Sequence, residues 1–130
     1  MTFRSAARWS ISQMWFGNQS LHYEVWIRER LGVLELGLHF EADPLTNARL
    51  LAAFRARDRA LRRLLGSNAL IEEWDKGWAR VWEEVVLATL DAAFLEHVSS
   101  RVAAYITALE PLLRDELPAD VPWREPPVRR

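Results

Sequence analysis

The sequence contains no cysteine, which excludes disulfide bonds, thiolate zinc sites and a cysteine nucleophile. It has no apolar run near the roughly 18 residues that a membrane span needs. The first residues, MTFRSAARWSISQ, lack the apolar core and cleavage site of a signal peptide. The formal net charge is −1, so no overall field draws the protein to nucleic acid or to an anionic membrane. These absences predict a cytoplasmic protein without a membrane partner.

Motifs of the common enzyme classes are absent as well. The sequence shows no Ser-His-Asp spacing, phosphate-cradling glycine loop, nucleophile elbow or nucleotide fingerprint. Its five glycines are explained by turns, a helix end and a cross-strand contact. We therefore predict no cofactor and no catalytic residues, although an open sheet face can still house a ligand cleft.

The composition is that of an ordinary globular chain, with 50% hydrophobic and 27% charged residues in a length of 130. This length predicts one domain. We expect an α+β domain over residues 1–117, in which an antiparallel sheet of four or five strands packs two helices on one face. A Pro-rich tail, extended or disordered, is expected over residues 118–130.

The clearest element is a β-hairpin over residues 21–43, folded about Leu31-Gly32. One face pairs apolar residues, Tyr23 with Phe40 and Val25 with Leu38. The other face pairs His22 with Glu41, Glu24 with His39, Trp26 with Gly37, and Arg28 with Glu35. A slip of one residue would place apolar side chains opposite polar ones, so the choice of face is well specified.

Two helical segments are predicted. The first begins at the N-cap Asp43 with Pro44 in its first turn, and ends at Gly66. Its buried stripe is Leu50, Leu51, Phe54, Leu61, Leu64 and Leu65. The second, within residues 89–117, has the stripe Phe94, Leu95, Val98, Val102, Tyr105, Ile106, Leu109 and Leu113. We expect Pro111 to kink or end its first part, and His97 to lie on its surface.

The stretch EEWDKGWARVWEE, residues 72–84, fits two structures. As a helix it would align Trp74, Trp78 and Trp82 on one side. As a hairpin it would place Trp74 opposite Trp78 across the three-residue loop DKG. The hairpin is favoured because a helix would carry Gly77 in its interior and because Trp and Val favour strands. Near the N-terminus, residues 9–16 are read as a further strand, with a short helix as the alternative.

The runs ELGLHF, NARLLAAFRARDRALRRLLG and LIEEWDKGWARVW resemble an uncharacterised bacterial α+β domain that is sometimes appended to restriction-related proteins. That domain has a similar order of strand, helix, L-x-x-W and strand. The resemblance implies an accessory role near nucleic acid, and it defines no catalytic residues.

Three candidate sites follow. His22, Glu24, His39 and Glu41 share one sheet face, where they form cross-strand charge pairs on a solvated or dimer-buried surface or bind a ligand or divalent metal. Arg55, Arg59 and Arg62 share one face of the first helix and offer a track for phosphates. Trp26, with Arg28 and Glu35, belongs to an aromatic and polar face that is typical of a partner surface. We expect this face to mediate homodimerisation or to bind another protein.

Overall fold

The computed structural model describes residues 1–6 and 10–124. Its strands are β1 (Thr2–Ala6), β2 (Ile11–Trp15), β3 (Leu21–Arg28), β4 (Val33–Phe40), β5 (Leu70–Trp74) and β6 (Trp78–Val86). Its helices are α1 (Pro44–Arg55), α2 (Asp58–Leu65) and α3 (Ala92–Glu116). The predicted α+β class is confirmed. The described residues form six strands and three helices, where four or five strands and two helices were predicted.

All six strands belong to one antiparallel sheet with the order β1-β2-β3-β4-β6-β5. The segment predicted as strand or helix near the N-terminus is strand β2, although Trp9 lies outside the described residues. Strand β1, which was not predicted, pairs with β2. Strand β6 pairs with β4, so the second hairpin extends the sheet beyond β4 and β5 is an edge strand.

The helices cover one face of the sheet. Helix α1 contacts β4, β5 and β6, helix α3 contacts β4, and α2 packs against α3. The core between the layers includes Tyr23, Leu38, Phe40, Phe54 and Leu109, each at most 1% exposed. Because side chains alternate along a strand, the residues between these core positions point to the opposite face. Within the described residues, no helix covers that face.

The first hairpin has the predicted faces but a different register. Tyr23 lies opposite Leu38, and His22 lies opposite His39, so each pair is displaced by two residues from the prediction. The cause is the loop: Glu29–Leu31 form a 3₁₀ turn and Gly32 adopts φ 67°, where a two-residue turn centred on Leu31-Gly32 was predicted. A two-residue turn of the usual hairpin type would require a left-handed Leu31, which is unfavourable.

The second hairpin is confirmed in its register. Trp74 lies opposite Trp78, Ile71 opposite Val81 and Leu70 opposite Trp82 across the turn Asp75–Gly77. The two indole rings at the turn lie 5.8 Å apart.

The predicted first helix is divided at residues 56–57 into α1 and α2. Asp43 caps α1 by accepting a hydrogen bond from the Thr46 N–H, as predicted. Asp58 lies in the first turn of α2, where an acidic side chain favours a helix start. The buried stripe needs two corrections, because Leu64 and Leu95 are 63% and 54% exposed. Helix α3 continues past Pro111 to Glu116.

Residues 118–124 form no helix or strand, yet they pack on the turn between β2 and β3. The Trp123 ring lies directly on Gly17, and the Arg124 N–H donates to the Gly17 carbonyl at 2.8 Å. The Asn18 side chain donates to the Pro122 carbonyl at 2.9 Å. This segment therefore contributes to the end of the sheet where β3 begins and β4 finishes.

Candidate metal site

Four side chains predicted as a possible site come together on the sheet face opposite the helices. They are His22 and Glu24 of β3, His39 of β4, and Glu41 just after β4. One ligand atom from each lies within 4.8 Å of all the others. The two-residue change in register places His22 directly opposite His39, and their rings stack with centroids 5.5 Å apart. We call these four residues the His-Glu cluster.

The His-Glu cluster is buried within the single chain, so of the two expected settings, a solvated or a dimer-buried surface, the solvated one is wrong. His22 and His39 are each 3% exposed and Glu24 is 6% exposed. Long side chains from neighbouring strands lie against them: Gln13 of β2 donates to Glu24 at 3.0 Å, and the Trp74 ring meets His39 edge-on. An uncovered sheet face can thus bury its central residues beneath its own flanking side chains.

The hydrogen bonds of His22 determine which ring nitrogen is free. Its Nδ1 lies 2.9 Å from the Gln19 carbonyl oxygen, and a carbonyl only accepts, so Nδ1 carries the proton. In the neutral ring, Nε2 then bears a lone pair. That Nε2 lies 3.1 Å from Glu24 Oε1.

The second imidazole is held in the same way. His39 Nδ1 lies 2.9 Å from Glu41 Oε2 and donates to that carboxylate. Its Nε2 lies 3.7 Å from the other oxygen of Glu24. The two Nε2 atoms therefore flank one buried carboxylate, and each ring is fixed from behind by an acceptor on its Nδ1.

Protons occupy such a site when nothing else does. Burial alone would lower the pKa of His22, but the hydrogen bond to Glu24 and the charge of Glu41 outweigh it, so that pKa is raised. Burial opposes ionisation of Glu24, but the His22 hydrogen bond, the His39 charge and the Gln13 hydrogen bond together lower its pKa. Both shifts show that the cluster stabilises positive charge beside Glu24.

Residues of the second hairpin adjoin the cluster, and the sequence did not identify them as part of a site. Arg80 lies opposite His39 and is 7% exposed. Its guanidinium carbon lies 4.3 Å from the Trp74 ring centre and 3.7 Å from that of Trp82. The local pairing of Glu72 with Arg80 was predictable, but the neighbour of His39 depends on the pairing of β6 with β4.

The predicted interface residues lie farther along the same sheet face. Glu35 accepts from Arg28 at 2.9 Å and from Arg80 at 2.7 Å. The residue opposite Glu35 is Trp26 rather than Arg28. Trp26 is half-buried, and the Arg28 guanidinium carbon lies 4.2 Å from its ring centre. Trp82, rather than Trp26, lies against Gly37.

The predicted arginine track is spread over two helices. Arg55 ends α1, whereas Arg59 and Arg62 belong to α2. Arg62 donates to Asp58 at 3.0 Å within its own helix. Arg55 and Arg59 are exposed. Nucleic-acid binding through these residues stays a prediction.

No family model, curated protein or solved structure matches this chain. The resemblance to a restriction-associated domain thus stays a prediction also. In the part of the chain that the structure describes, no helix is both long enough and apolar enough to cross a membrane.

Proposed function

We propose that the domain binds one divalent transition metal ion through Nε2 of His22, Nε2 of His39 and the Glu24 carboxylate. The observation that supports this proposal is the orientation of the two imidazoles. Each Nδ1 proton already has an acceptor, on Gln19 or on Glu41. When both rings are neutral, two lone pairs and one carboxylate face each other in a buried space. A cation offsets this concentration of electron density.

The spacing of the ligand atoms suits such an ion. Tetrahedral ligands at about 2.0–2.1 Å from zinc lie about 3.3 Å from one another. The Glu24 oxygens lie 3.1 Å and 3.7 Å from the two Nε2 atoms, on either side of that value. Two histidines and one carboxylate are also a ligand set of catalytic zinc and non-haem iron sites. Three protein ligands leave at least one coordination position for a further molecule.

Glu41 has a supporting role in this proposal. Metal-binding histidines commonly donate their second N–H to a carboxylate or a backbone carbonyl, which fixes the ring and raises its basicity. Glu41 does this for His39, and the Gln19 carbonyl does it for His22. Glu41 Oε2 lies 3.6 Å from His22 Nε2, close enough to become a fourth ligand after a small side-chain rotation.

A cavity of about 590 Å³ offers a route for the ion. Its lining includes the acidic residues Glu41, Asp43 and Asp120, together with the segment Asp120–Pro122. Among the described residues that line it there is no lysine or arginine, and the Asp120 carboxylate is paired with Arg49 at 3.3 Å. Glu41 is the most exposed member of the His-Glu cluster, with 17% of its side chain accessible. An acid-lined cavity that includes the supporting residue Glu41 favours the entry of a cation.

Metal binding is tested by titrating the purified chain with Co²⁺. We expect one ion per chain and a visible absorption band typical of a four- or five-coordinate site. Glu24→Gln retains the size of the side chain but removes its charge, and we expect it to abolish binding. Glu41→Gln removes only the supporting carboxylate and should weaken binding by about 10- to 100-fold.

The matched control is His97→Ala, because His97 is an exposed histidine on α3, on the helix side of the sheet. Co²⁺ binding should be unchanged in this variant. Binding that is retained in Glu24→Gln, or lost equally in His97→Ala, would refute a site at the His-Glu cluster.

A second proposal concerns the same sheet face at its other end. We propose that the face around Trp26 forms a homodimer, because partly exposed tryptophans lie on a face that no helix covers within the described residues. Tryptophan and arginine are enriched at the centres of interfaces, and Trp26 stacks with Arg28.

Light scattering on a sizing column tests the dimer. We expect about twice the chain mass of 15.1 kDa at micromolar concentration, and a shift of at least tenfold toward monomer in Trp26→Ala. Leu95→Ala, at an exposed residue of α3 on the helix side of the sheet, is the control and should remain dimeric. A monomeric wild-type protein would contradict the proposal.

A further inference from the structure

Four side-chain polar atoms among the described residues are buried without a hydrogen-bond partner, and two of them belong to residues beside the His-Glu cluster. These two are Nε of Arg80 and Nε1 of Trp74. Both are donors and neither can accept. Buried donors are rarely left without an acceptor, because their desolvation is costly. Such a pair indicates a missing acceptor.

Both residues adjoin the proposed metal ligand His39. Arg80 lies opposite His39 on β6. The Trp74 ring packs edge-on against the His39 imidazole, with the ring centroids 5.5 Å apart. The Arg80 guanidinium lies against the same Trp74 ring. The Trp74 ring therefore contacts both the metal ligand and the arginine, and the two unpaired donors belong to neighbouring side chains.

Arg80 is held in place by its other nitrogens. Nη1 donates to Glu35 at 2.7 Å, Nη2 lies 3.8 Å from Glu72, and two indole rings cover its faces. Trp82, which supplies the second ring, differs from Trp74 in that its N–H donates to Glu72 at 2.8 Å. Nε is thus the Arg80 nitrogen that is fully buried without an acceptor.

We infer that the unpaired donors of Arg80 and Trp74 form a subsite for a carboxylate ligand of the bound metal ion. The inference rests on the proposed metal site. One carboxylate oxygen would take the open coordination position, and the other would accept from the Trp74 and Arg80 N–H groups. A carboxylate suits this arrangement because its two oxygens can contact a cation and a donor at once.

The charges near the subsite favour a singly charged ligand. A divalent ion balances Glu24 and Glu41, and Arg28 with Arg80 balances Glu35 with Glu72. The metal-loaded face is therefore close to neutral before the ligand binds. A monocarboxylate adds one negative charge next to a metal ion and a guanidinium, whereas a doubly charged phosphate adds two.

The test uses the Co²⁺-loaded chain and acetate as the probe, followed by the visible band of the metal. Acetate should perturb the band in the wild type. Trp74→Phe keeps the aromatic ring but removes its N–H, and should weaken acetate binding about tenfold, the loss typical of one hydrogen bond to a charged group. Trp82→Phe is the control, and its acetate affinity should stay close to that of the wild type. Arg80→Lys keeps the charge, lacks the Nε donor, and should show the same loss as Trp74→Phe.

The possible failures are distinguishable. If Co²⁺ does not bind, both the metal site and this subsite are refuted. If Co²⁺ binds but acetate leaves the band unchanged, or binds equally to wild type and Trp74→Phe, only the carboxylate subsite is refuted. Co²⁺ affinity in Trp74→Phe should equal that of the wild type, because the variant leaves all three proposed ligands intact.

Discussion

Replacement of Gly37 by alanine is expected to destabilise the domain by about 3 kcal/mol. Gly37 lies in the central strand β4, between Glu24 and Trp82 on the two adjacent strands. A Cβ atom there would lie 2.1 Å from the Val81 carbonyl oxygen and 2.6 Å from the Trp82 Cα. These are backbone atoms of the neighbouring strand, so relief of the clash requires β4 and β6 to separate. Thermal denaturation should show a melting temperature about 10 °C lower or more.

The control is Gly32→Asn in the loop after β3. Gly32 has φ 67° and an added Cβ would meet nothing within 4 Å. Asparagine tolerates this conformation, so the loss should stay below about 1 kcal/mol. A Gly37→Ala variant as stable as Gly32→Asn would show that β4 and β6 do not approach as closely as described.

The largest stabilisation is expected from zinc. A ligand that binds only the folded chain, at about a thousand times its dissociation constant, stabilises it by about 4 kcal/mol. For a chain of this length, that corresponds to a rise of about 10–15 °C in melting temperature at pH 7.5. His22→Ala combined with His39→Ala should remove the shift. Because both rings are buried, the double variant will also lower the stability of the metal-free chain, and Glu24→Gln provides the milder comparison.

The zinc effect should grow with pH, because a metal binds the neutral imidazole and competes with protons. The pKa of His22 is raised in the folded chain. Its protonated form therefore stabilises the metal-free protein below the usual value of 6.5, and this stabilisation is lost as pH rises through the folded pKa. The pKa of Glu24 is lowered, so its contribution is present above the usual value of 4.5 and is lost as pH falls through the folded pKa.

The pH dependence has a clear signature in melting curves. Without metal, the contribution of this cluster should be greatest between about pH 4.5 and 6.5. With zinc, stability should instead continue to rise above pH 6.5. A zinc shift that is the same at pH 5.5 and 7.5, or is unaffected by Glu24→Gln, would indicate binding elsewhere.

The faces of the first hairpin were predictable although its register was not. Side chains alternate with a period of two, so a displacement of two residues leaves His22, Glu24 and His39 on the same face. The loop length decided the register, because four residues, 29–32, connect Arg28 to its partner Val33. The second hairpin was predicted with its register because the loop DKG allows one tight closure that pairs Trp74 with Trp78.

The local sequence indicated neither the break between α1 and α2 nor the burial of the His-Glu cluster. The stretch from Asp43 to Gly66 reads as one amphipathic helix, and only packing against α3 and the sheet leaves Leu61 buried and Leu64 exposed. Glu24 and His39 alternate with apolar residues, as solvated positions on a strand do. Their burial results from Gln13 and Trp74, which are brought to the cluster by separate strand pairings.

The sequence by itself determined the hairpins, the helical segments and the residues that share the His-Glu face, because these depend on short-range periodicity and turn chemistry. Only the tertiary structure decided that β6 lies beside β4 and that Arg80 and Trp74 therefore adjoin His39. It also decided that both imidazoles direct Nε2 toward Glu24. Pairing between segments about 40 to 50 residues apart in sequence depends on which arrangement buries the most apolar surface at once. Local patterns do not specify that choice.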